Sequence, residues 1–331
     1  MIVVNKISLL EQWKNEIINF LPNAKIAIFR GKTNEDDIKN CDIAISMIQS
    51  LSRIYYPKEM FQDFMTCVYD EVHNTSAQNF SKIFFKSCSK YSIGLSATPR
   101  RIDGCENVFK YHIGEIIENN KKEREGKPPI IKLLKIESEQ YKSVYITNKY
   151  TKEKILQFSG MITHIVQIKE RNDLIVSNIE KCFENKNEER KILVLSDRRN
   201  HLIELDKILK SKNVNFSHSL FLGGMKIKDL EKSKTSNVIL ATFSSFGEGV
   251  SEKDLNTLIL TTSKKFNKER DSGKLEQIIG RIFRKPHNDV NPLIIDFQDN
   301  FSIFSYHAKM RNEFYKTFFN NAIFQSEKII L

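Results

Sequence analysis

Short apolar runs alternate with helix-like patterns in the first part of this chain, and two of the runs lead directly into polar motifs. Such alternation is typical of a parallel α/β sheet, because each parallel strand needs a crossover before the next. The runs Cys67–Asp70 and Ser92–Leu95 end where Asp70-Glu71-Val72-His73 and Ser96-Ala97-Thr98-Pro99 begin. Carboxyl ends of parallel strands meet at one edge of a sheet, where ligands bind in doubly wound folds. The sequence therefore predicts that both motifs lie at a ligand-binding edge.

Three further strands and one amphipathic helix complete the predicted first unit. A capping box of Ser8 and Glu11 is predicted to start the helix. The helix is indicated by apolar residues at helical spacing, namely Leu10, Trp13, Ile17 and Leu21. The further strands are predicted at Ile2–Val4, Lys25–Phe29 and Asp42–Met47.

A second α/β unit is predicted from about residue 171, after a looser region. The polar stretch 119–129 reads as a surface linker, and Ile130–Ile136 as a strand in a connector. We therefore expect an α/β fold divided into residues 1–115, a connector at 116–170, a second domain at 171–300 and a C-terminal helix within 301–331. The strands of the second domain are predicted at Lys191–Leu195, Val238–Thr242, Thr257–Leu260 and Leu293–Asp296. Its helices are predicted at Arg199–Leu209, Leu275–Phe283 and Ser302–Phe324.

Composition narrows the class of protein. The 331 residues include 52 Lys and Arg against 41 Asp and Glu, which gives a net charge of +11. Such a charge favours a polyanionic partner, but taken alone it gives only about even odds that the protein binds nucleic acid. The five cysteines form no C-x-x-C pair, which indicates free thiols in a reducing compartment. No apolar stretch reaches membrane-spanning length and no signal-peptide pattern is present. We expect a protein that is not secreted and that works in the cytoplasm or wherever its nucleic acid is.

The acidic pair Asp70 and Glu71 is the first candidate for chemistry. Phosphoryl transfer from ATP needs a metal ion near the phosphates and a positioned water. Asp70 is predicted to hold Mg²⁺ through water, Glu71 to polarise the attacking water, and His73 to complete the motif. The alternative is a solvated acidic pair at the end of a strand, which is the common case for an isolated Asp-Glu.

The second motif is predicted to couple this chemistry to movement. The small residues Ser96, Ala97 and Thr98 follow a strand and are expected to hydrogen-bond the acidic pair. Two cations, Arg100 and Arg101, come next. Taken alone, the tetrapeptide would be interpreted as an ordinary exit from strand to turn.

The third motif places cations on a predicted helix. In Gln277-Ile-Ile-Gly-Arg-Ile-Phe-Arg284, the side chains of Gln277, Arg281 and Arg284 are spaced to share one face. Gly280 would permit close approach, and two guanidinium groups would neutralise the charge of a phosphoryl-transfer transition state. The alternative is a basic surface helix that contacts solvent or the phosphate backbone only.

Together these motifs resemble those of superfamily 2 helicases of the D-E-x-H type, and among them the UvsW-like and poxvirus transcript-release groups. The resemblance extends over essentially the whole chain and implies two RecA-like domains that use ATP and Mg²⁺. It also implies nucleotide contacts at Gly249, Ser251, Arg281 and Arg284, with Ser251 where the family has Asp. The implied nucleic-acid contacts are Asn5, Lys6, Gln49, Ser50, Arg100, Gly223, Gly224 and Thr242.

One part of the family's site has no counterpart in these residues. A phosphate loop (Walker A) needs G-x-x-x-x-G-K-[ST], and in Arg30-Gly31-Lys32-Thr33 the first glycine position is held by Ile26 inside a strand. Losing three charge-assisted hydrogen bonds of about 1.5–3 kcal/mol each would weaken ATP binding by roughly three orders of magnitude or more. We expect an N-terminally truncated or split form, with the missing half supplied in trans and two strands left with unpaired edges.

The favoured interpretation is an ATP-dependent helicase or translocase that acts on nucleic acid, with DNA favoured over RNA or a hybrid, and with little or no ATP hydrolysis by the chain alone. The alternative is a non-catalytic nucleic-acid-binding remnant without ATPase activity. A composition rich in Lys, Asn and Ile hints at an AT-rich genome such as that of a large DNA virus.

Overall fold

The computed structural model divides the chain into two units of contacting residues. Unit 1 comprises Met1–Lys121 and Glu269–Lys274, and unit 2 comprises Lys122–Lys268 and Leu275–Leu331. The structure describes residues 1–31, 35–87, 89–96, 103–117, 125–148, 150–185, 187–247, 252–264 and 272–331.

Unit 1 is built on a five-stranded sheet in the order β2-β3-β1-β4-β5, and every pair in it is parallel. Its strands are β1 Ile2–Val4, β2 Ile26–Phe29, β3 Ile43–Met47, β4 Thr66–Asp70 and β5 Tyr91–Leu95. Its helices are α1 Ile7–Phe20, α2 Glu35–Lys39, α3 Ile48–Arg53 and α4 Asn107–Ile113, with 3₁₀ turns at Lys58–Phe61, Val72–Ser76 and Ser81–Phe85. The last residues of β4 and β5, Asp70 and Leu95, are in register. The motifs that follow these two strands therefore start side by side.

Unit 2 contains a seven-stranded parallel sheet in the order β10-β11-β9-β12-β13-β6-β14. Its strands are β6 Ile130–Glu137, β9 Ile192–Ser196, β10 His218–Phe221, β11 Val238–Thr242, β12 Thr257–Leu260, β13 Leu293–Asp299 and β14 Ile323–Ile330. An antiparallel hairpin joins β7 Tyr145–Thr147 and β8 Lys154–Leu156. The helices are α5 Phe158–Ile165, α6 Lys169–Lys181, α7 Arg199–Ser211, α8 Ile227–Lys234, α9 Phe243–Gly247, α10 Ser272–Gly280 and α11 Ser302–Phe318, with a 3₁₀ turn at Arg281–Phe283. The first three residues of α10 belong to unit 1 and the rest to unit 2.

Three local predictions were wrong in this fold. The strand assigned to a connector, β6, lies inside the second sheet between β13 and β14, because its apolar face completes that core. The terminal helix ends at Phe318, and Ile323–Ile330 forms β14 through eight residues of parallel pairing with β6. The predicted capping box is also absent, since α1 begins at Ile7 and its N-cap residue, Lys6, makes no side-chain cap bond.

Two buried ion pairs fix helices to the carboxyl end of β13. The guanidinium of Arg171, in α6, donates from Nε to Asp299 Oδ1 at 2.7 Å, and that of Arg311, in α11, donates from Nε to Asp296 Oδ2 at 2.8 Å. Each pair is bidentate, since a second nitrogen of each arginine reaches the other carboxylate oxygen at 3.0 Å. Burial alone would lower the pKa of both arginines, but the paired carboxylates raise it instead. The pairs therefore specify where α6 and α11 dock, because breaking one would leave an uncompensated buried charge.

β5 is an edge strand of the unit 1 sheet, and the apolar residues on one of its faces are exposed. Tyr91, Ile93 and Leu95 are 51%, 46% and 40% exposed. The five strands of unit 1 form one continuous sheet, in which β4 pairs directly with β5. The exposed apolar residues therefore belong to the edge strand β5.

No helix in the described part of the chain has the length and apolar character that a membrane crossing requires.

Replacing Ile93 with Lys should reduce self-association of the isolated chain, because a charge on an exposed edge strand discourages pairing with a second strand. Folding stability should change by no more than about 0.5 kcal/mol, as at other exposed sites. Sedimentation velocity over a range of concentrations would measure the association. Ile155→Lys, at a position 45% exposed on β8, is the matched control. Equal association of both variants and the parent chain would refute the role of β5.

Candidate functional site

The acidic pair lies where β4 ends, as predicted. Asp70 is the last residue of β4, and Glu71 follows in the left-handed backbone region with φ 49° and ψ 54°. A glutamate in this region stores about 1–3 kcal/mol of backbone strain, and such residues cluster at functional sites. The chain then enters the 3₁₀ turn Val72–Ser76.

Both oxygens of the Asp70 carboxylate are held by N–H donors. The indole Nε1 of Trp13, on α1, donates to Oδ2 at 2.9 Å, and the backbone N of Glu71 donates to Oδ1 at 2.9 Å. The sequence placed Trp13 only on the apolar face of a helix, and its ring does pack against the core of β1 and β3. Its hydrogen bond to Asp70 was not foreseen, because local spacing carries no signal for it.

His73 joins Glu71 to the second motif. Its Nδ1 lies 3.3 Å from Glu71 Oε2 and 3.0 Å from Ser96 Oγ, while its Nε2 lies 3.2 Å from Asn74 Nδ2. The expectation that Ser96 bonds the acidic pair directly is therefore corrected: the imidazole of His73 stands between them. Ala97, Thr98 and Arg100 fall outside the described residues.

The acidic pair has the chemistry that a magnesium site requires. Mg²⁺ is commonly bound through one or two carboxylates, with waters and substrate phosphates as the other ligands. Each Asp70 oxygen accepts one protein hydrogen bond and so keeps a lone pair for a metal-bound water. No cluster of three or more His, Cys, Asp or Glu suited to a metal occurs among the described residues. The donor set thus fits an ion shared with phosphates better than an all-protein site.

The predicted nucleic-acid contacts of unit 1 lie at the carboxyl ends of β1 and β3. Gln49 Nε2 donates to the backbone O of Asn5 at 2.8 Å, and Lys6 follows as the N-cap residue of α1. Ser50 Oγ accepts a hydrogen bond from the backbone N of Gly31 at 3.3 Å. Within the described part of the chain, the buried oxygens Asn5 Oδ1 and Gln49 Oε1 have no hydrogen-bond donor. The structure thus brings Asn5 and Gln49 together and engages Ser50 with the end of β2.

In unit 2, Ser245 connects two of the predicted nucleic-acid contacts. The hydroxyls of Ser245 and Thr242 are 2.6 Å apart, and Ser245 Oγ accepts a hydrogen bond from the backbone N of Gly223 at 2.8 Å. Arg199, at the start of α7, donates to Gly223 O at 2.7 Å. Gly224 has φ +84°, which only glycine adopts without strain. Ser245 and Arg199 were missed as site residues, although both lie in segments where the family resemblance had been noted.

The third motif departs from the predicted helix. The helix α10 ends at Gly280, and Arg281–Phe283 form a 3₁₀ turn, so Gln277, Arg281 and Arg284 do not share the face of one α-helix. No described atom lies within 4 Å of the position that a Cβ on Gly280 would occupy, so the predicted close approach is not seen. Arg281 is buried and Arg284 is exposed. Burial, together with the charge of Arg284, lowers the pKa of Arg281 to about 10, which leaves it charged at neutral pH. Gly249 and Ser251 lie outside the described residues.

The strain at Glu71 predicts an inverted order of stability for two substitutions. Ala is usually more stable than Gly by roughly 0.5–1 kcal/mol inside helices and strands. At Glu71 the Gly variant should instead exceed the Ala variant by about 1 kcal/mol, because only the Ala variant keeps the left-handed strain. Both lose the side-chain contact with His73, so that loss cancels in the comparison. Urea unfolding would measure the difference, and an Ala variant at least as stable as the Gly variant would contradict the prediction.

Comparison with known proteins agrees with these motifs. Residues 1–101 match the family described as "Type III restriction enzyme, res subunit". The chain is 34% identical, over 82% of its length, to a candidate ATP-dependent RNA helicase of Acanthamoeba polyphaga mimivirus, and it spans 50% of that relative. A candidate ATP-dependent RNA helicase of African swine fever virus is 25% identical over 92% of the chain, which spans 61% of that protein.

The fold has solved counterparts among helicases. Saccharomyces cerevisiae Dbp5, solved with RNA and ADP–BeF3, superimposes with a TM-score of 0.62 at 11% identity, covering 99% of this chain and 77% of Dbp5. This likeness shows the fold of two RecA-like domains. With the motifs at the carboxyl ends of β4 and β5 and with the viral relatives, it identifies the chain as a member of the superfamily 2 helicases of the D-E-x-H type.

Proposed function

We propose that this chain forms the two RecA-like domains of an ATP-dependent helicase or translocase that acts on nucleic acid. The observation that carries the proposal is the acidic pair at the end of β4: Asp70 is held by two N–H donors and Glu71 is held in a strained turn beside His73. The relatives that the chain partly spans are assigned as ATP-dependent RNA helicases, which is consistent with this use.

In this proposal the residues of unit 1 manage the metal ion and the attacking water. Asp70 would hold Mg²⁺ through water, and Glu71 would orient and polarise the nucleophile. Such an ion, when bound, neutralises charge that develops on the phosphates. Ser96 would sense the state of Glu71 through the imidazole of His73, which lies within 3.3 Å of both side chains. Ala97 and Thr98 would continue this coupling segment.

The residues of unit 2 supply positive charge. Arg281 and Arg284 would neutralise the transition state, and Gln277 would connect them to the nucleotide, as would Gly249 and Ser251. A charged guanidinium that is already desolvated, as Arg281 is, interacts strongly with phosphate because little water remains to screen it.

Nucleic acid would lie along the carboxyl edges of the two sheets. In unit 1 the contacts would be Asn5, Lys6, Gln49, Ser50 and Arg100, and in unit 2 Gly223, Gly224 and Thr242. The net charge of +11 favours a polyanion through counterion release. We propose DNA as the favoured partner, with RNA or a hybrid as the alternative.

The phosphate grip is proposed to come from outside the 331 residues. Gly31 follows β2, which is separated from β4 by β3 and β1, or about 14 Å at the usual strand spacing. Its backbone groups are also engaged, since its N donates to Ser50 and its O accepts from Tyr56. The open apolar edge of β5 would accept a strand that carries a phosphate loop, whether in trans or on the same polypeptide.

A coupling measurement separates this motor from the alternative of a non-catalytic nucleic-acid-binding protein. A non-hydrolysable ATP analogue with Mg²⁺, at saturating concentration, should change the affinity for a fluorescent oligonucleotide by about fivefold or more, a typical coupling between two sites. Arg284→Ala should abolish the change, and Lys285→Ala, at the neighbouring cation, should preserve it. An oligonucleotide affinity that stays independent of nucleotide, once binding of the analogue to the chain has itself been shown to saturate, would contradict the motor and favour the non-catalytic protein.

A further inference from the structure

Trp13 is the one tryptophan of the chain, and the function proposed above assigns no role of its own to the indole that donates to Asp70. The indole N–H is a donor without acceptor capacity, and a half-buried indole usually finds one partner. Here that partner is a carboxylate oxygen of the motif residue, at 2.9 Å. The ring is anchored on the other side by the apolar cluster that includes Val4, Leu10 and Ile45. The donor is therefore fixed by packing before Asp70 meets it.

The two donors together fix the plane of the Asp70 carboxylate. The terminal torsion of an aspartate is broad, so one hydrogen bond leaves the group free to rotate. A bond from α1 to Oδ2 and another from the Glu71 backbone to Oδ1 restrain both ends of the group. Each oxygen retains one lone pair for the hydration shell of a cation. A carboxylate held in this way loses little conformational freedom when it engages a hydrated ion.

We infer that Trp13 is a positioning residue for divalent-cation binding at Asp70, acting through its indole N–H and touching neither metal nor nucleotide. The inference rests on the proposed function, since it assumes that Asp70 is the metal-binding carboxylate. Helix α1 would then have a second role besides covering the sheet, which is to position the carboxylate of Asp70. The helix also starts directly after Asn5 and Lys6, so the same rigid element joins the proposed nucleic-acid contacts to the proposed metal site.

Nuclear magnetic resonance of the chain labelled with ¹⁵N at tryptophan tests the hydrogen bond and the metal site together. A single indole N–H peak is expected, and Asp70→Ala should shift it. Glu71→Gln should leave it in place, since the Glu71 contact to Asp70 uses the backbone N. Mn²⁺ should broaden this peak in the parent chain and leave it sharp in Asp70→Ala. Mg²⁺, which is diamagnetic, should shift it saturably, because a bound cation withdraws charge from the acceptor.

The positioning role itself is tested by Trp13→Phe, which keeps an aromatic ring and removes the donor. Mn²⁺ binding would be measured by water-proton relaxation, and the binding that remains in Asp70→Ala would be subtracted. We expect the Mn²⁺ concentration for half-saturation to rise roughly tenfold in Trp13→Phe. Gln12→Ala, at an exposed position of the same helix, should bind Mn²⁺ as the parent does. Circular dichroism would confirm that both variants are folded.

The outcomes separate this inference from the proposed function. If Mn²⁺ broadens the indole peak but folded Trp13→Phe binds Mn²⁺ like the parent, the proposed metal site stands and the positioning role is overturned. If Mn²⁺ leaves the parent peak sharp even when a non-hydrolysable ATP analogue is present to supply phosphate ligands, the metal assignment of Asp70 fails, and the inference falls with it. If Trp13→Phe does not fold, the test uses the parent chain instead. There, an indole peak that Mn²⁺ broadens but Mg²⁺ does not shift would overturn the positioning role.

Discussion

Parallel pairing of the strands in both large sheets is the constraint on which the rest of the structure depends. When all strands of a sheet run in one direction, their carboxyl ends share one edge and the polar residues after them are collected there. In unit 1 this brings the turns after β4 and β5 side by side, with Asp70 opposite Leu95. In unit 2 it brings the ends of β10 and β11 together, where Gly223, Ser245 and Thr242 are hydrogen-bonded.

Backbone strain at Glu71 and hydrogen bonds to Asp70 then fix the positions of the acidic pair. Glu71 occupies a backbone region that a glutamate adopts only at a cost, while Asp70 is held by a helix and by the backbone. Stability alone would favour a different residue at position 71, so the strain points to selection for a side chain in that place. His73 extends the arrangement to Ser96, which gives the site a physical connection to the next strand.

The elements that sequence predicted well are those whose pattern is local. Strands β1, β2, β3, β4 and β5 were located within one residue at each end, because buried parallel strands read as short apolar runs bounded by polar residues. The placement of Asp70 and Glu71 at a strand end followed directly. By contrast, β14 depends on pairing with β6, nearly two hundred residues away, and local pattern suggested a helix.

The same distinction applies within the candidate site. Motif residues such as Asp70, Gln49 and Thr242 were predicted from spacing and resemblance, and their functional roles stay predictions. The bond from Trp13 to Asp70 and the bridge through Ser245 depend on tertiary packing, which has no signature in a single sequence. The end of α10 at Gly280 was missed because heptad-like spacing of Gln277, Arg281 and Arg284 favoured a continuous helix, while glycine weakens one.

The most direct test is ATP turnover by the purified chain, with and without DNA or RNA, beside the Glu71→Gln variant. We expect nucleic-acid binding that weakens as salt is raised, and turnover no higher than that of the variant, because the sequence contains no G-x-x-x-x-G-K-[ST] motif. Nucleic-acid-stimulated turnover that Glu71→Gln abolishes would contradict the missing grip. Failure to bind nucleic acid in a salt-dependent way would contradict the proposed motor.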